Sequence, residues 1–473
     1  MNPTTGHSNV ARRDWLKLAG LGGLATGITS SASAAKPASR PRPVRGVVFL
    51  VSDGMSPGVL TLAEAFSQIT RKRGTRWWRM LDERAAACGL MDTAAANSLV
   101  TDSAAASSAW GGGQRVNNGQ INIDAEGREI TPIAAILKKT TAARIGLVTT
   151  ATVTHATPAG FAANVAKRSD EQLIAPQYRD RVDVILGGGS VFFDPKHRAD
   201  RRDLFADYEK AGYQAVRHRD EMKAARSEKL LGLFTRGHLP FSIDRAHSET
   251  LMARVPTLAE MAQAALTRFL TDQRPFLLQV EGARIDHAAH LNDIGGLLHD
   301  QLAFDDALER VFELTAGHDD ILVVATSDHG NANPGLNGMG GGYADSTQFF
   351  ERTTRLKASH ERVFSDWRKR GNGSPADLAA LGSDRLDFKL RPDETEALHA
   401  ILKGRDVTEW NHLLDKPEGL LGQFIGNHTG IGWTGTTHTT DPTLVSAIGP
   451  QAERFSGMVK NTDVFRHLVE MLG

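Results

Sequence analysis

Short apolar runs, each closed by turn-forming residues, recur along most of the chain. Those at 46–51, 145–149, 184–186, 276–280 and 321–325 are aliphatic and β-branched with little polar alternation. Continuous rather than alternating hydrophobicity predicts strands covered on both faces, as in a parallel sheet. Between these runs, 257–270 and 297–314 carry apolar residues at helical spacing. Strands alternating with helices predict an α/β domain with a large central, mostly parallel β-sheet and helices on both faces. No internal repeat interrupts the pattern. From 340 to 430 the rhythm fails: charged and loop-forming residues increase and no strand pattern emerges. That stretch is expected to be an inserted, cap- or crown-like subdomain.

The polar residues that follow the predicted strands change the picture. The first run leads into Ser52-Asp53-Gly54, the second into Thr154-His155-Ala156-Thr157, the fourth into Glu281-Gly282, and the fifth into Ser327-Asp328-His329-Gly330. Open α/β sheets bind ligands beyond the carboxyl ends of their strands, and metal-type residues stand there four times. Asp286 and His290 are four apart in a segment expected to turn into a helix, so one face can present both to an ion. A surface ion pair is the commoner use of such a pair. In Thr101-Asp102-Ser103-Ala104-Ala105, the alanines favour a helix that starts at Asp102 or Ser103. A serine there faces free backbone N–H groups and the positive end of the helix dipole, which favour a phosphoryl anion. By itself the segment reads more readily as a capping serine without chemistry. His438 follows Trp433 in a Gly- and Thr-rich stretch, and spacing alone does not assign it.

Composition narrows the classes. Of 473 residues, 41% are hydrophobic and 23% charged, and Lys+Arg equals Asp+Glu at 55 each. A chain without basic excess gives no support to nucleic-acid-specific binding. Cys88 is the only cysteine, which excludes an intrachain disulfide and any multi-cysteine metal site. Metal chemistry therefore falls to His, Asp and Glu, and 17 histidines are available.

The first 34 residues read as an export signal. Arg12-Arg13 precede Trp15, Leu16 and Lys17, then a Gly-rich, mildly apolar stretch that ends in Ala32-Ser33-Ala34. Paired arginines with a small-x-small cleavage site indicate twin-arginine export to the periplasm or exterior. The apolar stretch is too short for a membrane span, so no anchor is expected in the mature form. Residues 35–45, with Pro37, Pro41 and Pro43, read as a linker, and 46–473 as the catalytic domain.

Taken in order, Asp53-Gly54, Asp102-Ser103-Ala104, His155-Ala156-Thr157-Pro158, Glu281 through Asp286 to His290, Asp328-His329-Gly330 and His438 closely resemble the alkaline phosphatase family. The ending with Phe455-Ser456-Gly457 and Asn461-Thr462 resembles it too, and the match is weakest over 340–430. The resemblance implies a phosphomonoesterase with two zinc ions and one magnesium ion. One zinc would be held by Asp286, His290 and His438, the other by Asp53, Asp328 and His329 beside the Ser103 oxygen. Magnesium would take Asp53, Thr157 and Glu281. Ser103 would be the nucleophile of a phosphoserine intermediate, and Arg168 would clamp phosphate. Small phosphate monoesters would be the substrates, and a homodimer is the family expectation. His155 and His287 stand where the best-known bacterial relatives have Asp and Lys, and either could contact phosphate or support the third ion. His428 competes with His438 for one ligand position. Two other readings stay open: a relative acting on diesters, sulfates or phosphosugars, and a non-catalytic metal- or phosphate-binding protein.

Overall fold

The computed structural model describes residues 42–370, 373–407 and 416–473. The expected export segment and most of the expected 35–45 linker lie outside them. Ten strands form one sheet: β1 (Gly46–Val51), β2 (Ala87–Met91), β3 (Arg144–Thr152), β4 (Val184–Gly188), β5 (Gln214–Val216), β6 (Leu230–Leu233), β7 (Phe276–Glu281), β8 (Ile321–Thr326), β9 (Thr443–Ile448) and β10 (Gly457–Val459). Their order is β10-β2-β9-β8-β1-β7-β3-β4-β6-β5. Every pairing is parallel except those of β9, which runs antiparallel to both β2 and β8.

The continuous hydrophobicity of the central runs has its reason in two cores. Val48 and Leu50 of β1 pack into one apolar cluster with Leu278, Val280, Val323 and Ala325. Val47, Phe49 and Val51 point the opposite way into a second cluster with Leu277, Leu322 and Val324. A strand buried on both faces has no solvent side for polar residues, so the period of two vanishes from the sequence. The strands β2, β5, β6, β9 and β10 are not among the runs read from the sequence. Several lie toward the ends of the sheet, where burial is incomplete: β2 and β5 each have exposed positions.

The helices that matter for the site are α1 (Ser103–Gly112), α2 (Ala156–Ala162), α3 (Leu258–Phe269), α4 (Arg284–His290) and α5 (Ile294–Thr315). Thr257 caps α3 in a reciprocal box with Glu260, which defines the start of the predicted 257–270 helix. α1 and α2 pack with their backbones almost touching. A Cβ on Gly111 would lie 1.9 Å from the Gly160 carbonyl oxygen, so both positions admit only glycine.

The 340–430 stretch is more helical than its composition suggests. Among the described residues it holds α6 (Ser346–Glu351), α7 (His360–Lys369), α8 (Pro375–Leu386), α9 (Pro392–Leu402) and α10 (Pro417–Thr429), and no strand. These helices bury one narrow stripe each, such as Val363, Phe364 and Trp367 of α7. Most of the charged remainder faces outward, and that charge is what reads as loop. No helix among the described residues is long and apolar enough to cross a membrane.

Candidate active site

The four strands that precede metal-type residues are neighbours in the sheet, in the order β8-β1-β7-β3. Their registers align the ends: Val51 pairs with Thr326 on one side and with Glu281 on the other, and Glu281 pairs with Thr149. Asp53 and Asp328 therefore leave adjacent strands at the same height, beside Glu281. All three are enclosed, as is His329. Gly54 then turns with φ +67°, and a Cβ there would lie 2.5 Å from Asp286 Oδ1. Only glycine lets α4 bring Asp286 this close.

Three groups of donors converge. Asp286, His290 and His438 form one; Asp53, Asp328 and His329 a second; Asp53, Glu281 and His155 a third, each with its candidate ligand atoms within 4.8 Å of one another. In the first group, His290 Nδ1 donates to the Thr436 carbonyl at 2.7 Å and His438 Nδ1 to the Thr101 carbonyl at 2.8 Å. A carbonyl can only accept, so each Nδ1 carries the proton. Both Nε2 atoms then present lone pairs, 3.0 Å apart and 3.4 and 3.5 Å from Asp286 oxygens. Facing lone pairs beside a carboxylate repel unless a cation lies between them, and histidines braced through the far nitrogen are the usual metal arrangement. Asn331 Nδ2 donates to Asp286 Oδ1 at 2.7 Å and orients that carboxylate.

The other two groups pose the same problem in carboxylates. Both oxygens of Asp53, Oδ2 of Asp328, Oε1 of Glu281 and the Thr157 hydroxyl are buried without a hydrogen-bond partner. Burial, then the charges of Asp328, Asp286 and Glu281, push the Asp53 carboxyl well above its ordinary range. Burial lifts Glu281 to about 7, although Thr149 donates to it. Asp328 is held low: burial opposes this, but the neighbouring His329 and the Gly54 N–H outweigh it. Clustered, enclosed and unpaired oxygens fit divalent cations.

Ser103 opens α1 and is 1% exposed. Asp102 caps the helix, accepting from the Ala105 N–H at 2.9 Å. Ser103 Oγ lies 3.2 Å from His329 Nε2, which itself lies 3.0 Å from Asp328 Oδ2 and 3.8 Å from Asp53 Oδ1. The hydroxyl thus sits at a helix N-terminus and at the margin of the second group. Arg168 reaches the same corner. It donates through Nη1 to Asp102 Oδ2 at 3.1 Å and through Nη2 to His155 Nε2 at 3.0 Å, with 29% of its side chain exposed.

Apart from His428, the residues singled out in the sequence for this site fall in one place. His155 differs from the expected third set of Asp53, Thr157 and Glu281, because its imidazole joins Asp53 and Glu281 and adds a nitrogen donor. His287 packs near His155, with ring centroids 5.6 Å apart. Burial, then Arg284, His238 and His155, keep His287 well below its ordinary value. His428 lies on α10 with its ring stacked on Phe388 and takes no part in the three groups. Sequence reading passes over His238, whose ring centroid is 4.6 Å from that of His287. It passes over Arg284 and Asn331 as well. His238 sits in a loop after β6 with no distinctive pattern, whereas Asn331 follows Asp328-His329-Gly330 and Arg284 lies inside the Glu281–Asp286 segment.

Residues 44–473 match the family model described as alkaline phosphatase. "Alkaline phosphatase 3" of Bacillus subtilis is 30% identical over 382 residues, covering 79% of this chain and 77% of that protein. Among solved structures, the alkaline phosphatase of Thermus thermophilus superposes with TM-score 0.86 at 33% identity, covering 92% of this chain and 93% of the other. A cold-active alkaline phosphatase from a Shewanella species gives 0.74 at 27% identity, covering 90% and 100%.

Proposed function

Since the chain belongs to the alkaline phosphatase family, we propose that it hydrolyses small phosphate monoesters to an alcohol and inorganic phosphate through a phosphoserine at Ser103. One observation carries this reading: Ser103 Oγ stands at a helix N-terminus, 3.2 Å from His329 Nε2, beside three convergent donor groups.

The donor sets suit two zinc ions, at Asp286, His290 and His438 and at Asp53, Asp328 and His329, and a magnesium ion at Asp53, Thr157 and Glu281. Bound there, divalent cations supply Lewis acidity and positive charge to the reacting oxygens. Ser103 Oγ attacks phosphorus in line with the ester oxygen. The new Ser103–phosphorus bond forms as the bond to the alcohol breaks, and the alcohol leaves with a proton. The N–H groups of the first turn of α1 face the charge that develops on phosphate. Arg168 offers two N–H donors to the equatorial oxygens in a bidentate fork. Asp102 holds that guanidinium from behind. Water then attacks phosphorus from the side the alcohol vacated, releasing phosphate and restoring the Ser103 hydroxyl.

We test this with p-nitrophenyl phosphate and its bis-ester at alkaline pH, on mature protein loaded with zinc and magnesium. The monoester should be strongly preferred. Preference for the diester would keep the fold but reassign the chemistry to diester hydrolysis.

Export by the twin-arginine route rests on Arg12-Arg13 and the Ala32-Ser33-Ala34 cleavage site; a homodimer rests on the family. Lysines at positions 12 and 13 should leave the precursor in the cytoplasmic fraction. Undiminished export of that variant would end the twin-arginine reading.

A further inference from the structure

Three residues before His287, α4 carries an arginine that the scheme above leaves without a role. The Arg284 side chain is 5% exposed. Its guanidinium lies over the Phe241 ring, 3.7 Å from the centroid. Nη2 donates to Glu361 Oε2 on α7 at 2.6 Å, and Nη1 is 2.8 Å from His287 Nδ1. The backbone is tied as well, with the Arg284 N–H donating to Thr150 Oγ1 at 3.1 Å.

A guanidinium has only donors and keeps its protons at any pH the protein experiences. His287 Nδ1 must therefore accept. An imidazole that accepts at Nδ1 carries its proton at Nε2. Among the described residues His287 Nε2 has no hydrogen-bond partner, and its ring borders His155, which already receives the second arm of Arg168.

We propose that Arg284 is a positioning residue that locks His287 as the Nε2–H tautomer, presenting one N–H to phosphate, and that Glu361 of the 340–430 insertion holds the arginine in place. This rests on the phosphomonoesterase reading. The opposite tautomer would aim a lone pair at the phosphate oxygens, turning an attraction into a repulsion. The insertion thereby bears on phosphate affinity without touching phosphate, through a relay of Glu361, Arg284 and His287.

The test uses full-length, metal-loaded enzyme with 15N-labelled histidine, with the His287 resonances identified by their loss in His287→Ala. In the unaltered protein the long-range 15N–1H pattern should show a bare Nδ1 and a protonated Nε2. Arg284→Met should mix the two tautomers and weaken inhibition by inorganic phosphate roughly tenfold, the worth of a hydrogen bond to a charged group. kcat should change far less, and zinc content and Tm should hold. Arg284→Lys, which keeps a donor, should recover part of the affinity. Glu361→Gln, which leaves the buried arginine in place, should shift both readouts in the same direction by less. In a His287→Ala background, Arg284→Met should cost no further phosphate affinity. A protonated Nδ1 in the unaltered enzyme would overturn the proposal. So would an undiminished Arg284→Met effect on phosphate in that background. If phosphate does not bind at all, the phosphatase reading fails, while the imidazole spectrum still decides the tautomer.

Discussion

Ser103 has no dedicated base beside it. The side-chain nitrogen within hydrogen-bond reach, His329 Nε2 at 3.2 Å, also faces Asp328 and Asp53 and so belongs to the second donor group. As the proposed nucleophile, Ser103 would depend on the charge that group gathers and on the dipole of α1. Ser103→Ala should lower turnover of a monoester by at least about a thousandfold, as loss of a nucleophile does elsewhere. Zinc content should stay near that of the unaltered protein. Turnover that survives the substitution would remove Ser103 from the reaction. The two arms of Arg168 rest on Asp102 and His155. The fork is thus held in a definite place, so as the proposed phosphate clamp it would lose less freedom on closing.

At the scale of elements, α5 does more than cover the sheet. Two of its inward acids serve the starts of other helices. Asp305 accepts the N–H groups of Arg76 and Trp77 at 2.8 and 3.0 Å. Asp300 accepts from the N–H and hydroxyl of Ser242 at 3.0 and 2.9 Å. Burial lifts the Asp300 carboxyl to about 7, although the Ser242 bonds oppose it. Its folded value lies above its unfolded one, so between pH 4 and 7 the folded protein holds a proton that the unfolded chain releases. The contribution to stability is full below pH 4 and is lost as pH rises toward 7. Asp300→Asn should flatten this part of the pH dependence when urea midpoints of the two proteins are compared at pH 5 and pH 8 under equal metal loading. Parallel midpoints for the two would show that Asp300 is ionised throughout.

For the whole molecule, the sheet places four strand ends that carry candidate metal ligands side by side, and the cost is an enclosed cluster of carboxylates. Asp53, Glu281, Asp286 and Asp328 are all buried, and unpaired buried charge is expensive. Cations that bind the folded state alone should stabilise it by mass action. Chelation should lower Tm by about 5 °C or more, on the scale of a few kcal/mol, and abolish activity, and zinc with magnesium should restore both. A Tm indifferent to chelation would mean that protons, not metals, neutralise this cluster.

The chain alone determined the α/β class, because burial on both faces writes continuous apolar runs that are visible without coordinates. It also marked where chemistry stands, since Asp53, Glu281, Asp328 and His329 follow those runs directly, and the four-residue spacing of Asp286 and His290 needs only a helix. Short, partly exposed strands such as β2 and β5 left little apolar trace, and the amphipathic helices of 340–430 showed mainly their charged faces. Tertiary structure decided what local spacing cannot hold. His438 meets His290 across 148 positions of chain, and Arg284 meets Glu361 across 77. Which nitrogen of His290 and of His438 faces inward followed from carbonyls brought in by other elements. Those choices depend on hydrogen-bond direction in three dimensions, and a linear pattern carries none.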